Sequence, residues 1–182
     1  MERRRDLFDL LGGAGLPIPN TAACETWTDV ITRAGAGRVV VKGLSGSEGR
    51  GATVAVVDGL SAQTFPGPWI VQELIRSDGL DRKLYVAGDQ VSGQMKQSPL
   101  ETSGGRPGGA RGSERFEPTG PQVALARAVG EVTGLHLYGV DLVEGPAGPV
   151  VVDVNVFPGF RGITEGPAQV TAHIRAHLDG EV

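Results

Sequence analysis

The stretch that decides the fold is PVVVDVNVFPGF, residues 149–160. Its valines predict a β-strand, and Asp153 and Asn155 lie two residues apart within it. On a pleated strand these two side chains share one face, and the alternate valines of residues 152–156 face the other side. Asp and Asn are poor strand formers. A carboxylate and an amide on one face of an apolar strand therefore indicate a functional role.

The preceding segment, YGVDLV at residues 138–143, predicts a second strand, and the short EGPAG turn makes the two antiparallel. Asp141 then lies opposite or diagonal to Asp153, with Cβ atoms roughly 5–8 Å apart. Like charges at this separation repel, and burial increases the cost. A divalent cation would offset the repulsion, and the oxygen ligands of Asp and Asn suit Mg²⁺ or Mn²⁺. The alternative is that one or both carboxylates face solvent on an edge hairpin.

Composition indicates an ordinary globular protein of one domain or two small lobes. The chain has 182 residues, of which 40% are hydrophobic and 21% charged. A net charge of −4 argues against nucleic acid as a partner. The sequence has no signal-peptide pattern and no apolar run long enough for a membrane span, so we expect a cytoplasmic protein without a membrane partner.

Periodicity and turn signals predict the other elements. Capping-box patterns begin at Thr26 and Thr119. Helices are predicted at residues 3–11, 26–33, 119–132 and 164–177, and strands at 38–42, 52–58, 69–75, 84–87 and 90–95. Residues 98–117 are predicted to form a long polar loop.

A glycine-rich loop, GLSGSEGRG at residues 43–51, directly follows a strand that ends in Lys42. Backbone N–H groups in such loops bind anions, and the lysine adds a positive charge, so the pattern indicates phosphate binding. A P-loop requires Lys and Ser or Thr after the last glycine, where this chain has Ala52 and Thr53. A Rossmann turn requires a helix after the glycines, but the β-branched residues there predict a strand. The loop is predicted to be a flap over a ligand; the alternative is a flexible solvent loop.

These pieces occur in one order along the chain: the lysine-ended strand, the glycine-rich loop, VQELI, GVDLV and then DVNVFPGF. In that order they resemble the ATP-grasp superfamily, and within it the RimK-type ligases that extend peptide or protein termini. The resemblance implies an α+β fold in which two α+β lobes with antiparallel sheets clasp a nucleotide. Residues 1–182 would form a single ATP-grasp domain, with a smaller lid lobe at about 15–75 and a larger lobe at about 76–182 that carries the metal site.

The resemblance also implies roles for individual residues. Lys42 would hold the α- and β-phosphates, and Arg4 stands where the family has a second phosphate-binding lysine. The other nucleotide-binding positions would be Gly46, Ser47, Gly49 and Gly51 in the flap, Gln72, Glu73, Leu74 and Ile75 in the hinge, and Asp81 and Lys83 beyond it. Magnesium would be bound by Asp141, Asp153 and Asn155. Arg106, Arg111 and Arg161 would be the catalytic cations that hold the transferring phosphoryl group or a substrate carboxylate.

The implied activity is that of an ATP- and Mg²⁺-dependent carboxylate–amine ligase, which forms an amide through an acylphosphate. Its partners would be a small-molecule or peptide carboxylate and an amine acceptor. The alternatives are an ATP-binding module without ligase activity and an ATP-grasp kinase. Two departures stand out. Asp153 replaces the usual Glu, and the chain begins where the family's ATP-grasp domain begins, so we expect the family's N-terminal domain to be absent. A partner chain or a homo-oligomer would then complete the acceptor site.

Overall fold

The computed structural model describes residues 4–35, 38–43, 55–56, 67–98, 113–156, 158–160 and 162–180. Four helices and nine strands lie in these ranges. The helices are α1 (Arg4–Gly13), α2 (Trp27–Ala34), α3 (Gly120–Thr133) and α4 (Gly166–Leu178). The strands are β1 (Thr21–Cys24), β2 (Val39–Gly43), β3 (Ala55–Val56), β4 (Trp69–Glu73), β5 (Leu80–Ala87), β6 (Gln90–Gln97), β7 (Glu114–Phe116), β8 (Leu137–Gly145) and β9 (Gly148–Asn155). The predicted α+β class is confirmed.

The smaller sheet has the strand order β1-β4-β2-β3, and every pairing in it is antiparallel. Helix α2 packs on one face, where it begins at the capping box of Thr26 and Asp29. The core between them is formed by Cys24, Val30, Val41, Trp69 and Val71. Alternation along β2 and β4 leaves Lys42 and Gln72 on the other face of this sheet.

The larger sheet has the order β7-β6-β5-β8-β9, also antiparallel throughout. Helices α1 and α3 cover one face and enclose the main hydrophobic core. The buried members of that core are Leu7, Leu11, Leu84, Val86, Leu125, Ala126, Val129, Tyr138, Val140, Leu142 and Val151. This arrangement directs the alternate residues of β5, β8 and β9 to the opposite face, which we call the polar face because it carries Lys83, Asp141 and Asp153.

Part of the polar face is covered by the segment after β9 and by α4. Tyr85, Phe160 and Ile163 form a buried cluster there, and the rings of Tyr85 and Phe160 lie 5.3 Å apart. Phe160 adopts a left-handed φ of 47°, which is uncommon for a bulky residue. The backbone N–H of Ile163 donates a hydrogen bond to the carbonyl of Phe160 and closes the turn. Lys83 and Asp141 are not members of this cluster.

The predicted valine alternation in β9 is wrong at two positions. Asp153 pairs with Asp141, yet Val151 pairs with Leu142, so Val152 is an additional residue that forms a β-bulge. Val151 is therefore the buried valine of the core, and Val154 is partly buried against the same core. Val156 lies beyond the strand and is 53% exposed. A period of two cannot reveal a bulge, because the bulge itself breaks the period.

Two further strands differ from the predictions. β1 lies in a segment for which no strand is predicted, and β7 lies inside the predicted loop at residues 98–117. The strand predicted at residues 52–58 is described only at Ala55–Val56. The predicted helices, the β5–β6 hairpin and the β8–β9 hairpin are confirmed. None of the helices in the described ranges combines the length and hydrophobicity that crossing a membrane requires.

Candidate functional site

A row of polar side chains crosses the larger sheet from edge to edge. Cα pairing in successive strands places Arg115 beside Gln94, Gln94 beside Lys83, Lys83 beside Asp141, and Asp141 beside Asp153. All five side chains point to the same face, because directly paired residues share a face. The row therefore carries positive charge on β5 and β7 and negative charge on β8 and β9.

The two carboxylates at the negative end are directly opposite each other. Asp141 Oδ1 lies 3.2 Å from Lys83 Nζ, and Asn155 Nδ2 donates to Asp141 Oδ2 at 3.3 Å. Burial raises the pKa of Asp141, Lys83 opposes that rise, and Asp153 adds to it. The pair is thus electrostatically costly, and the structure offsets the cost with neighbouring cations.

Arg4 supplies the cation next to Asp153. Its Nη2 lies 3.2 Å from Asp153 Oδ2, and its Nη1 donates to the carbonyl of Gly43 at 2.9 Å. Gly43 is the last residue of β2, where the glycine-rich segment begins. One guanidinium from α1 therefore joins the small sheet to the carboxylate end of the polar row.

Lys42 makes a second connection between the sheets. Its side chain is buried, and Nζ donates to the carbonyl of Val152 at 2.7 Å. That carbonyl belongs to the bulged residue of β9. Burial lowers the pKa of Lys42, and the charge of Asp153 acts in the opposite direction. An ammonium group that is already desolvated and faces a cavity is well suited to hold an anionic ligand.

A cavity of about 500 Å³ lies between the two sheets, and we call it the interlobe cavity. The small sheet and the segment after it contribute Arg38, Val40, Lys42, Gln72, Glu73, Leu74, Ile75, Arg76 and Ser77, together with Pro19. The large sheet and its edge contribute Asp81, Ser98, Val143 and Val152. Its volume lies in the range of small-molecule and cofactor sites.

The segment after β4, residues 74–79, connects the two sheets, and we call it the hinge segment. The N–H of Glu73 donates to the carbonyl of Asn20 at 2.9 Å, so this donor is already used. Asp78 anchors the other end through Arg82, at 2.6 Å, and this pairing lowers the pKa of Asp78. The hinge segment is thus fixed at both ends while its middle lines the interlobe cavity.

The described part of the chain brings the predicted site residues into two groups. Lys42, Asp81 and the predicted hinge positions line the interlobe cavity: Gln72, Glu73, Leu74 and Ile75. Arg4, Lys83, Asp141, Asp153 and Asn155 form a network of ion pairs and hydrogen bonds at the end of the polar row. Gly46, Ser47, Gly49, Gly51, Arg106, Arg111 and Arg161 lie outside the described residues.

Sequence reasoning missed several residues of the cavity wall, among them the bulged Val152. It also missed Thr21, which accepts a hydrogen bond from the wall residue Gln72. Val40 and Arg38 could have been found, because they alternate with Lys42 on one face of β2. The sequence does not indicate a role for Thr21, because TAAC at residues 21–24 has no strand pattern.

The carboxylate end of the row suits a hard cation in its donor chemistry. Asp141, Asp153 and Asn155 offer only oxygen ligands, and the two carboxylates face one another. Asn155 now points its amide nitrogen at Asp141, so it would bind a cation only after turning its oxygen inward. Within the described ranges, no three His, Cys, Asp or Glu side chains converge as a metal site. Ligand oxygens would have to complete the shell.

Comparison with known proteins identifies the family. The model of the RimK-like ATP-grasp domain matches residues 7–176. A probable alpha-L-glutamate ligase of Methanococcoides burtonii is 33% identical over 162 residues, a match that covers 83% of this chain and 53% of that protein. Another, from Hydrogenovibrio crunogenus, is 32% identical over 179 residues and covers 92% of this chain and 59% of that protein. The chain thus spans little more than half the length of these relatives.

Solved structures show the same architecture. A RimK domain protein from Sphaerobacter thermophilus is 25% identical with a TM-score of 0.71, and the match covers 95% of this chain and 66% of that one. The ATP-grasp ligase PsnB, solved with a precursor peptide and AMPPNP, is 23% identical with a TM-score of 0.68; the match covers 94% of this chain and 58% of PsnB. The latter similarity supports the fold alone. The chain therefore belongs to the RimK-like ATP-grasp domain family.

Proposed function

We propose that this chain is the nucleotide-binding and catalytic domain of an ATP-dependent carboxylate–amine ligase. The observation that carries the proposal is the position of the carboxylate pair. Asp153 directly follows Val152, which lines the interlobe cavity, and Lys42 reaches from the cavity to the carbonyl of Val152. A nucleotide in the cavity would thus have its phosphates between a buried ammonium and two carboxylates.

The proposed nucleotide lies along the interlobe cavity. Its base contacts Gln72–Ile75, where β4 meets the hinge segment. Its ribose lies toward Asp81, and its phosphates lie toward Lys42 and Arg4. This orientation is supported by the strand register, because Lys42 pairs with Ile70 whereas Glu73, next to the hinge segment, pairs with Val39. It is supported also by the family, since the related fold of PsnB was solved with AMPPNP.

Asp141, Asp153 and Asn155 are proposed to hold a divalent cation, Mg²⁺ or Mn²⁺, beside those phosphates. PsnB has been solved with Mg and ADP, which supports magnesium. When bound, the cation would neutralise charge on the phosphate oxygens during transfer. Arg4 and Lys83 now pair with these carboxylates, so cation binding would release both side chains toward anionic groups.

The proposed reaction has two steps. A substrate carboxylate attacks the γ-phosphorus of ATP, forming an acylphosphate and releasing ADP. An amine then attacks the acyl carbon, forming the amide and expelling phosphate, and the amine loses a proton. Catalysis rests on positioning and charge neutralisation by Lys42, Arg4 and Lys83. Arg106, Arg111 and Arg161 remain the proposed cations for the transferred group or a substrate carboxylate.

The substrate class follows from the relatives, which are named as probable alpha-L-glutamate ligases. We propose glutamate as one substrate, joined through its amine to a carboxylate of a small molecule or a peptide. Neighbours of the same fold, PsnB and the macrocyclase MdnC, were solved with precursor peptides, which supports a peptide as the other substrate.

The test is ADP release by the purified chain with Mg²⁺, ATP, glutamate and a set of carboxylate peptides, with product analysis by mass spectrometry. The double variant Asp153→Ala with Asn155→Ala should reduce Mg²⁺-dependent turnover by at least about 100-fold, because it removes two of the proposed cation ligands. Asp9→Ala is the matched control, since that carboxylate is 72% exposed on α1.

Each alternative has its own result. Unchanged turnover in the double variant would contradict the cation assignment. Binding of Mg²⁺–ATP without product from any acid and amine would identify a binding module instead. A phosphorylated acid without amide would identify a kinase.

A further inference from the structure

The directions of two consecutive hydrogen bonds, one made by Thr21 and one by Gln72, fix how the Gln72 side chain faces the interlobe cavity. The hydroxyl of Thr21 donates to the carbonyl of Pro19 at 2.8 Å. A hydroxyl carries a single hydrogen, so Thr21 can only accept from its next neighbour. That neighbour is Gln72, whose Nε2 donates to Thr21 Oγ1 at 3.1 Å.

The reverse polarity is unavailable at this position. A carbonyl has no hydrogen, so Pro19 O can only accept, and the Thr21 hydroxyl is therefore used as a donor. If the Gln72 amide turned over, its Oε1 would face the lone pairs of Thr21 Oγ1, and two acceptors would meet. Because the side chain is only 1% exposed, this mismatch would be costly.

The amide of Gln72 thus presents its oxygen away from Thr21. Gln72 lines the interlobe cavity, and no described residue donates to its Oε1. Pairing places Gln72 between Thr21 on β1 and Val40 on β2, and Val40 lines the same cavity. The wall beside the hinge segment therefore offers a hydrogen-bond acceptor with a fixed orientation.

We propose that Thr21 is a positioning residue that makes the site select adenine over guanine by locking the acceptor oxygen of Gln72 toward the base. The proposal rests on the proposed function, in which a nucleotide base lies at the hinge. Adenine carries an amino donor at the position where guanine carries a carbonyl acceptor. A Gln72 oxygen held in this orientation can accept a hydrogen bond from the amino group of adenine and repels the carbonyl oxygen of guanine.

The test compares ATP and GTP binding by calorimetry, with Mg²⁺, in the full chain and its variants. Wild type should bind ATP at least about tenfold more tightly than GTP, and Thr21→Val should reduce that ratio about five- to tenfold. In the variant the amide is no longer held by a hydroxyl, so it can turn its N–H toward guanine. Thr21→Ser is the matched control, and it should keep the wild-type ratio within about twofold because it restores the hydroxyl.

The ratio distinguishes positioning from a general structural loss, which would weaken both nucleotides alike. Thr21→Ala serves as a second variant, and thermal unfolding of each protein reports whether it is folded. An unchanged ratio in both Thr21→Val and Thr21→Ala, or equal affinities in wild type, would overturn the role of Thr21 and leave the proposed function standing. Absence of nucleotide binding by wild type would overturn both.

Discussion

At the scale of single residues, Lys42 shows the conflict between stability and binding most clearly. It is 5% exposed, and its one hydrogen bond in the described chain goes to the carbonyl of Val152. Burial of an ammonium group costs free energy that a neutral carbonyl offsets only in part. We therefore expect Lys42 to contribute to the binding of an anionic ligand and not to the stability of the fold.

We predict that Lys42→Met lowers ATP affinity at least about tenfold while the free energy of unfolding at neutral pH stays equal or rises by up to about 2 kcal/mol. Methionine fills a similar volume without a charge to desolvate. Calorimetry measures the affinity, and urea unfolding measures the stability.

The same variant tests the pKa of Lys42. Burial lowers this pKa below its ordinary value of 10.5, so in the pH interval between the two values the unfolded chain binds more protons than the folded chain. The free energy of unfolding of wild type should therefore rise with pH across that interval, and Lys42→Met should lack this rise. Lys96→Met, which removes an exposed lysine, should keep it. Identical pH slopes in wild type and Lys42→Met would contradict the assignment.

At the scale of elements, the β9 bulge is the feature with the most specific consequence. Val152 is the additional residue, so its removal would leave Val151 and Val154 on the core face and Asp153 on the polar face. The bulge is therefore unnecessary for the alternation of β9. Its observed effects are to bring a carbonyl to Lys42 and a side chain to the cavity wall.

We predict that deletion of Val152 gives a folded protein with a regular β8–β9 ladder that binds ATP poorly. The deletion removes the carbonyl partner of a buried ammonium, which should lower the free energy of unfolding of wild type by about 1–3 kcal/mol. In Lys42→Met there is no ammonium to lose its partner, so the deletion should cost less there by about the same amount. Urea unfolding of wild type, each single variant and the combined variant gives this coupling free energy. Val152→Ala, which keeps the bulge, is the control. A coupling near zero would show that the bulge and Lys42 act independently.

Elements with strong local signals could be predicted from the sequence, and those made by tertiary pairing could not. Capping boxes placed the starts of α2 and α3 correctly, and the polar pair on β9 marked the candidate site. By contrast, β1 is TAAC, a sequence of mostly small residues that becomes a strand by pairing with the apolar β4. β7 has three residues and depends likewise on pairing with β6.

The contacts of Arg4 and Thr21 also could not be predicted. Arg4 meets an aspartate 149 positions away, and Thr21 meets a glutamine 51 positions away. Such contacts depend on how the two sheets are docked and on strand order, which periodicity does not encode.

At the scale of the whole molecule, α1 connects the two sheets through separate faces. Leu7 and Leu11, one turn apart, are buried in the core of the larger sheet. Arg4 and Phe8, also one turn apart, contact the smaller sheet at Gly43 and Ile70. Among the residues that the structure describes, the buried core of the small sheet is a cluster of five side chains, so we expect this sheet to be the less stable unit.

We predict that Phe8→Ala destabilises the smaller sheet selectively. Phe8 is 1% exposed and packs on Ile70, so its truncation leaves a cavity between the sheets that should cost about 3–5 kcal/mol. Hydrogen exchange of amides in β1, β2 and β4 should accelerate, while exchange in β5 and β8 should change little. Saturating Mg²⁺–ATP should restore part of the protection, because a nucleotide in the interlobe cavity contacts both sheets.

Leu11→Ala is the matched control for Phe8→Ala, since Leu11 is fully buried about one turn away on α1 but belongs to the core of the larger sheet. It should accelerate exchange in β5 and β8, where its contacts lie, and not only in the smaller sheet. If both variants accelerated exchange equally in the two sheets, the molecule would unfold as one cooperative unit. The smaller sheet would then have no opening reaction of its own, and its predicted lower stability would be wrong.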